Sequence, residues 1–164
     1  MKNTAINTLG YTGTVTLSQY IGSKKIKLTQ MKNSGAYSLF NFLSDCLVGD
    51  FEVAKLSRPA AIRLLEHDST TNSYTPCSDF IFLLTKPEKV YSDNKGIVRY
   101  SFAISRDILT SSSFNSIGLY SSSVSDVEPE SFAAVCKINI PRAEIAASSM
   151  LVVDWELTIS NMVE

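Results

Sequence analysis

The residues best equipped for chemistry are Glu66, His67 and Asp68, three titratable side chains in succession that include the only histidine of the chain. A histidine beside carboxylates can act as a general base or a metal ligand. Neighbours on an extended chain point to opposite faces, so these three converge only if the backbone bends there. The expectation is therefore a solvated loop. Other routes to catalysis lack their marks. Serine is abundant, but no Gly-x-Ser-x-Gly elbow occurs. A glycosidase needs two carboxylates flanking a sugar; Asp154 and Glu156 share the polar face of one strand and read as surface charges. No phosphate-cradling glycine motif is present. Cys46, Cys77 and Cys136 lie far apart, are odd in number and form no Cys-x-x-Cys pair, which fits free thiols packed as small hydrophobes in a reducing compartment. His67 has no second ligand at metal-binding spacing. The residues thus assign no catalytic group, no cofactor and no metal.

Aromatic side chains point more towards binding. Tyr74, Tyr91, Tyr100 and Tyr120 fall in or near loops and strand ends. A tyrosine ring can stack on a sugar face while its hydroxyl hydrogen-bonds, so Tyr74 and Tyr91 are candidate ligand contacts. The charge balance excludes other partners. Fifteen basic and 16 acidic residues leave a formal charge of −1, with no global basic field for nucleic acid or an anionic membrane. No apolar run is long enough to insert into a bilayer, and the N-terminal residues lack the apolar core of a secretory signal.

The elements that must position these residues are mostly strands. At 164 residues and 45% hydrophobic content, one ordered domain with a real core is expected. Residues 1–11 read as a polar N-terminal arm, and 12–164 as the domain. The strongest signal is residues 150–160. Leu151, Val153, Trp155, Leu157 and Ile159 share one parity, with Trp155, the single tryptophan, at the centre of the apolar row. Residues 14–19 and 24–29 alternate around a turn at 20–23, which predicts a hairpin with Ile26 and Leu28 inward. Lys24, Lys25 and Lys27 fit the solvated face of an edge strand. Further strands are predicted at 60–65, 79–85, 97–105, 116–122 and 132–140, the last stopped by Pro141. The longest polar stretch, 66–78, is read as a loop. About eight strands at short spacing argue an antiparallel β-sandwich.

One α-helix is predicted over 36–48. Ser34 is a candidate N-cap, Ala36, Leu39, Phe40, Leu43 and Leu47 form a helical stripe, and Gly49 suits its end. Tyr37, Phe42 and Val48 lie off that stripe. A helix apolar on more than one side is either well buried or packed against a neighbouring subunit, and in the second case these three are the candidate oligomer interface.

Three segments carry a resemblance: Ser116-Ile117-Gly118-Leu119-Tyr120-Ser121, then residues 134–141 (AVCKINIP), then Leu151-Val152-Val153-Asp154-Trp155-Glu156-Leu157-Thr158-Ile159. In that order they resemble the last strands of fibre and tail-accessory proteins of tailed bacteriophages. Residues 11–17 (YTGTVTL), Asn33-Ser34-Gly35 before an apolar helix, and Arg58-Pro59 are similar to small virion proteins of crAss-like phages. The resemblance implies a non-enzymatic virion component of head-fibre or tail-fibre attachment type, made in a bacterial host cytoplasm. It implies a homo-oligomer, by analogy a trimer, with other capsid or tail proteins as neighbours. A carbohydrate- or receptor-binding module at a fibre tip, touching a host surface glycan, is the alternative. The resemblance carries over no catalytic residue, and acidic Asp154 and Glu156 stand where many relatives have threonine.

Overall fold

A computed structural model describes residues 7–33, 49, 59–77, 82–83, 88–92, 95–121 and 136–163. Within them the chain forms ten strands: β1 (Asn7–Ile21), β2 (Lys24–Asn33), β3 (Pro59–Asp68), β4 (Ser73–Pro76), β5 (Phe82–Leu83), β6 (Glu88–Ser92), β7 (Lys95–Ser105), β8 (Ser113–Ser121), β9 (Cys136–Glu144) and β10 (Met150–Val163). A 3₁₀ turn, Arg106–Ile108, follows β7. The predicted helix at 36–48, with Tyr37, Phe42 and Val48, lies outside the described residues, as do 132–135.

The strands form two antiparallel sheets. The first runs β2–β1–β10–β7–β6 and the second β4–β3–β8–β9. β5 pairs with β3 at Ala61 and Ile62, on the edge that also takes β4, because β8 occupies the other edge. Alternation sets which side chains meet. Val15 and Leu17 of β1, Tyr100, Phe102 and Ile104 of β7, and Leu151, Val153, Trp155 and Leu157 of β10 turn inward. They join Ile62 and Leu64 of β3, Ile117 and Leu119 of β8, and Ile138 and Ile140 of β9 in one cluster. The chain is therefore mainly β, with the two-layer core of a sandwich.

The edges are managed as the sequence suggests. β2 is an edge strand, Lys24, Lys25, Lys27 and Lys32 are exposed on it, and Leu28 and Met31 pack against the core. Gly22 closes the β1–β2 turn with a φ of 60°, a conformation that L side chains disfavour.

Four boundaries differ from expectation. Residues 7–11 are not an arm: they extend β1 and pair with the end of β10, from Asn7↔Val163 to Tyr11↔Ile159. The ladder continues because β10 itself runs past residue 160 and offers partners. The polar stretch predicted as a loop over 66–78 forms a hairpin over 66–76, with β3 reaching Asp68 and β4 running from Ser73 to Pro76. Its exposed edge position tolerates polar residues on a strand. Pro141 does not stop β9. The β8–β9 register shifts between Phe114↔Ala143 and Ser116↔Asn139, so the proline falls where the ladder is irregular and on an edge strand. β6, absent from the sequence reading, pairs with β7 from Glu88↔Arg99 to Ser92↔Lys95.

The two middle strands of the second sheet, β3 and β8, are buried on both sides. Ala61, Arg63 and Leu65 on the outer parity of β3 are as enclosed as Ile62 and Leu64. On β8 the Tyr120 ring folds back over Gly118, where an added Cβ would stand 2.6 Å from Tyr120 Cε2. Gly118→Ala must displace a buried ring and should cost about 1–3 kcal/mol of unfolding free energy in urea. In a Tyr120→Ala background that cost should largely vanish. An equal penalty in both backgrounds would place the strain elsewhere.

Candidate functional site

The Glu66–Asp68 triplet sits at the end of β3, where the β3–β8 ladder gives out after Leu65↔Ser116. A side chain continues it. Asn115 Oδ1 accepts from the His67 backbone N–H at 2.6 Å, and Asn115 Nδ2 donates to the His67 carbonyl at 2.9 Å. The amide thus mimics a peptide unit and holds the strand straight for three more residues.

A straight strand keeps the triplet apart. Glu66 Oε1 accepts from Arg142 Nη1 of β9 at 2.7 Å. Asp68 turns into the following turn, where Oδ1 accepts from the Thr70 N–H at 2.8 Å and Oδ2 from the Thr71 hydroxyl at 3.0 Å. These bonds, Thr70's first, hold its carboxyl below the usual carboxylate range. His67 stacks on Tyr74 of β4, with ring centroids 4.6 Å apart and planes inclined by 29°. Its Nε2 lies 3.2 Å from Asn72 Oδ1. The three residues serve three separate contacts and share no common space. Among the described residues, no group of three His, Cys, Asp or Glu side chains is placed to hold a metal ion.

Tyr74 is likewise occupied. Besides His67, Lys137 Nζ of β9 stands 4.4 Å from its ring centroid, and its hydroxyl donates to Asn139 Oδ1 at 3.4 Å. The ring straps one edge strand of the second sheet to the other, which leaves it poorly placed as a sugar platform. Tyr91 lies on β6 of the first sheet, opposite Gly96. The two tyrosines singled out from the sequence therefore belong to strands of different sheets.

The sequence reading missed a cleft at the other end of the first sheet. Strand register sets Tyr20 beside Met150 and Met150 beside Ser105, one row across three strands. The β1–β2 turn, the 3₁₀ turn and the turn before β10 rise around that row. They surround an open depression of about 480 Å³ lined by Tyr20, Gly22, Ser105, Asp107, Ser148, Ser149 and Met150. The walls are tied down. Arg106 N–H donates to the Ser149 carbonyl at 2.9 Å, Ser149 Oγ to the Ala146 carbonyl at 2.6 Å, and the Ala146 N–H to Gln19 Oε1 at 3.2 Å. Ile21, Ile108 and Met150, between 43% and 46% exposed, are the exposed large hydrophobics among the described residues, and all three belong to these segments. No sequence signal marks the cleft, because its parts come from three distant stretches.

Cys77 closes the β4 end of the core. Its backbone N–H donates to the Leu64 carbonyl at 2.9 Å, and its carbonyl accepts from the Thr110 hydroxyl and the Ser111 N–H. Burial pushes its thiol up to about 11, the negative charge of Glu66 adds to this, and Arg142 opposes it. Comparison with known protein families, curated proteins and solved structures finds no match.

A thiol whose folded value is raised holds its proton better folded than unfolded. Its contribution to stability is complete below pH 9.0, the ordinary value, and is lost as pH rises towards about 11. The urea midpoint of the native protein should therefore fall more steeply over that window than that of Cys77→Ala. Parallel pH curves would remove the thiol from the account.

Proposed function

We propose that this chain is a non-enzymatic structural protein of a tailed-phage particle, a head-fibre, tail-fibre or tail-accessory component that assembles with copies of itself. The observation that carries the reading is where the resembling segments fall. Residues 116–121 lie in β8, 136–141 in β9 and 151–159 in β10. β8 and β9 pair with each other, and β10 is the middle strand of the opposite sheet. The likeness therefore follows the framework of both layers, as expected where what is shared is architecture.

The polar side chains fit such a role. Arg99 of β7 bridges Glu156 of β10 at 2.6 Å and Glu88 of β6 at 3.1 Å, joining three neighbouring strands across one face. Ser101 donates to Asp154 in the adjacent row. Groups of this kind hold register on a solvated sheet and individually contribute little. Glu66, His67 and Asp68 are spent the same way, on strand ends and a turn.

Assembly is the testable part. Light scattering on the purified chain near neutral pH should give a mass near three times the 18.0 kDa protomer. Phe42→Asp should return it to one protomer while far-ultraviolet circular dichroism keeps its β signal. A wild-type chain that stays at 18.0 kDa at every concentration overturns the assembly reading.

A further inference from the structure

The formal charge of −1 conceals a segregation. Residues 1–44 hold five of the 15 basic residues and none of the 16 acidic ones. Four of those five, Lys24, Lys25, Lys27 and Lys32, are exposed on β2, an edge of the first sheet. Guarding an edge against stray pairing takes a lysine or two. It does not require carboxylates to be withheld from the neighbouring strand as well. The ion pairs among the described residues involve Arg99 and Arg142 and none of these lysines. Register arranges them. Val15 and Leu17 face the core, so Thr14, Thr16, Ser18 and Tyr20 take the outer face of β1. Their partners on β2 are Lys32, Gln30, Lys27 and Lys25 in turn, and cross-strand partners share a face. Each row sets a cationic or amide side chain beside a hydroxyl residue. Ser18 is buried, while Thr14, Thr16 and Tyr20 are partly exposed. The result is a strip of hydrogen-bond donors along one edge of the sheet.

We infer that this strip binds the phosphate backbone of duplex DNA without reading its sequence. Lysine meets a phosphate as a point charge, and hydroxyls add neutral contacts to its oxygens. A strand rises about 3.4 Å per residue, and the phosphates of one DNA strand advance about 3.4 Å each along the axis. Alternate side chains therefore keep step with alternate phosphates. The register shift at Leu17/Ser18 interrupts that line once, between Lys27 and Gln30. A protein partner fits less well, because protein interfaces are depleted in lysine and centre on apolar anchors. Tyr20, the aromatic ring of the strip, has Lys25 Nζ over it, 5.7 Å from the centroid. Asp154 and Glu156 of β10 lie one strand further in, beside Thr16 and Thr14, and are engaged by Ser101 and Arg99. Contact is thus confined to the β2 edge. The inference is independent of the particle assignment, because it rests on the placement of charge alone.

The test is fluorescence anisotropy of a labelled duplex of about 24 base pairs with the full chain, starting at about 25 mM NaCl, where screening is weak. The duplex should bind, and log K should fall against log salt with a slope of about −2.7, as for three phosphate contacts. Lys27→Glu and Lys95→Glu alter the net charge equally, and both positions are exposed. Lys27→Glu should weaken binding by about tenfold or more, and Lys95→Glu by less than about twofold. A duplex that does not bind overturns the inference. Equal weakening by the two variants overturns it as well, since net charge and not the strip would then be the cause. Polyglutamate that competes as well as unlabelled duplex at equal charge would show that carboxylates suffice, and vesicles of phosphatidylglycerol that bind where duplex does not would place the strip on a membrane. Either result overturns the assignment to DNA.

Discussion

The burial of Trp155 is the interaction on which the first layer depends. β10 is paired along both edges, with β1 from Asn7↔Val163 to Tyr20↔Met150 and with β7 from Met150↔Ser105 to Ser160↔Lys95. Its inward row, Leu151, Val153, Trp155 and Leu157, sits at or below 5% exposure. The indole N–H has no hydrogen-bond partner among the described residues, which costs about 1–3 kcal/mol. Burying a ring of about 150–250 Å² at about 25 cal/mol per Å² returns about 4–6 kcal/mol. Packing wins, so a tryptophan is retained where its polar atom is unsatisfied. The first strand and the last are neighbours, so this layer cannot close until β10 is available. Such non-local pairing delays the reward for ordering β1.

The two sheets solve different solvation problems. The outer face of the first is polar, with Arg99, Glu88 and Glu156 in one row and Ser101 with Asp154 in the next. In the second, the outer parity of the middle strands β3 and β8, Ala61, Arg63, Leu65, Ser116, Gly118 and Tyr120, is enclosed, while Lys137 and Asn139 of β9 stay exposed. Arg63 is 5% exposed, and its Nε has no partner among the described residues. Burial raises the Tyr120 phenol while the Arg63 charge pulls it back. A buried guanidinium is tolerated when its remaining donors and stem have neighbours to meet, and a folded aromatic ring with a glycine beneath it makes such a place. Simple alternation therefore describes the first sheet and residues 137–140 of β9, and misdescribes β3 and β8.

That contrast explains what the sequence made legible. The Val15–Leu17, Tyr100–Ile104 and Leu151–Leu157 rows follow from period-two alternation, because each has one wet face. The lysines of β2 were readable as edge residues for the same reason. Residues 66–68 and 73–76 were not readable as strands, because both lie at an edge where polar side chains carry no periodic signal. Asn115, which completes the β3 ladder with its side chain, is remote in sequence from the backbone it serves. Pro141 carries the pattern of a strand stop yet lies within β9, because an edge position at a register shift has no ladder bond to lose. The pairing of Asn7–Tyr11 with residues 159–163 required knowing that first and last strands are adjacent, and local pattern does not encode adjacency.

The same logic bears on where function can reside. Side chains within paired strands are committed twice, to a face by the pleat and to a neighbour by register. Glu66, His67 and Asp68 show the result: three chemically able groups in a row, drawn to Arg142, Tyr74 and the Thr70–Thr71 turn because a straight strand sends them different ways. Turns escape the constraint. Around Tyr20 three connections from distant parts of the chain meet above a row that the strands hold fixed, so groups can vary there without disturbing the ladder.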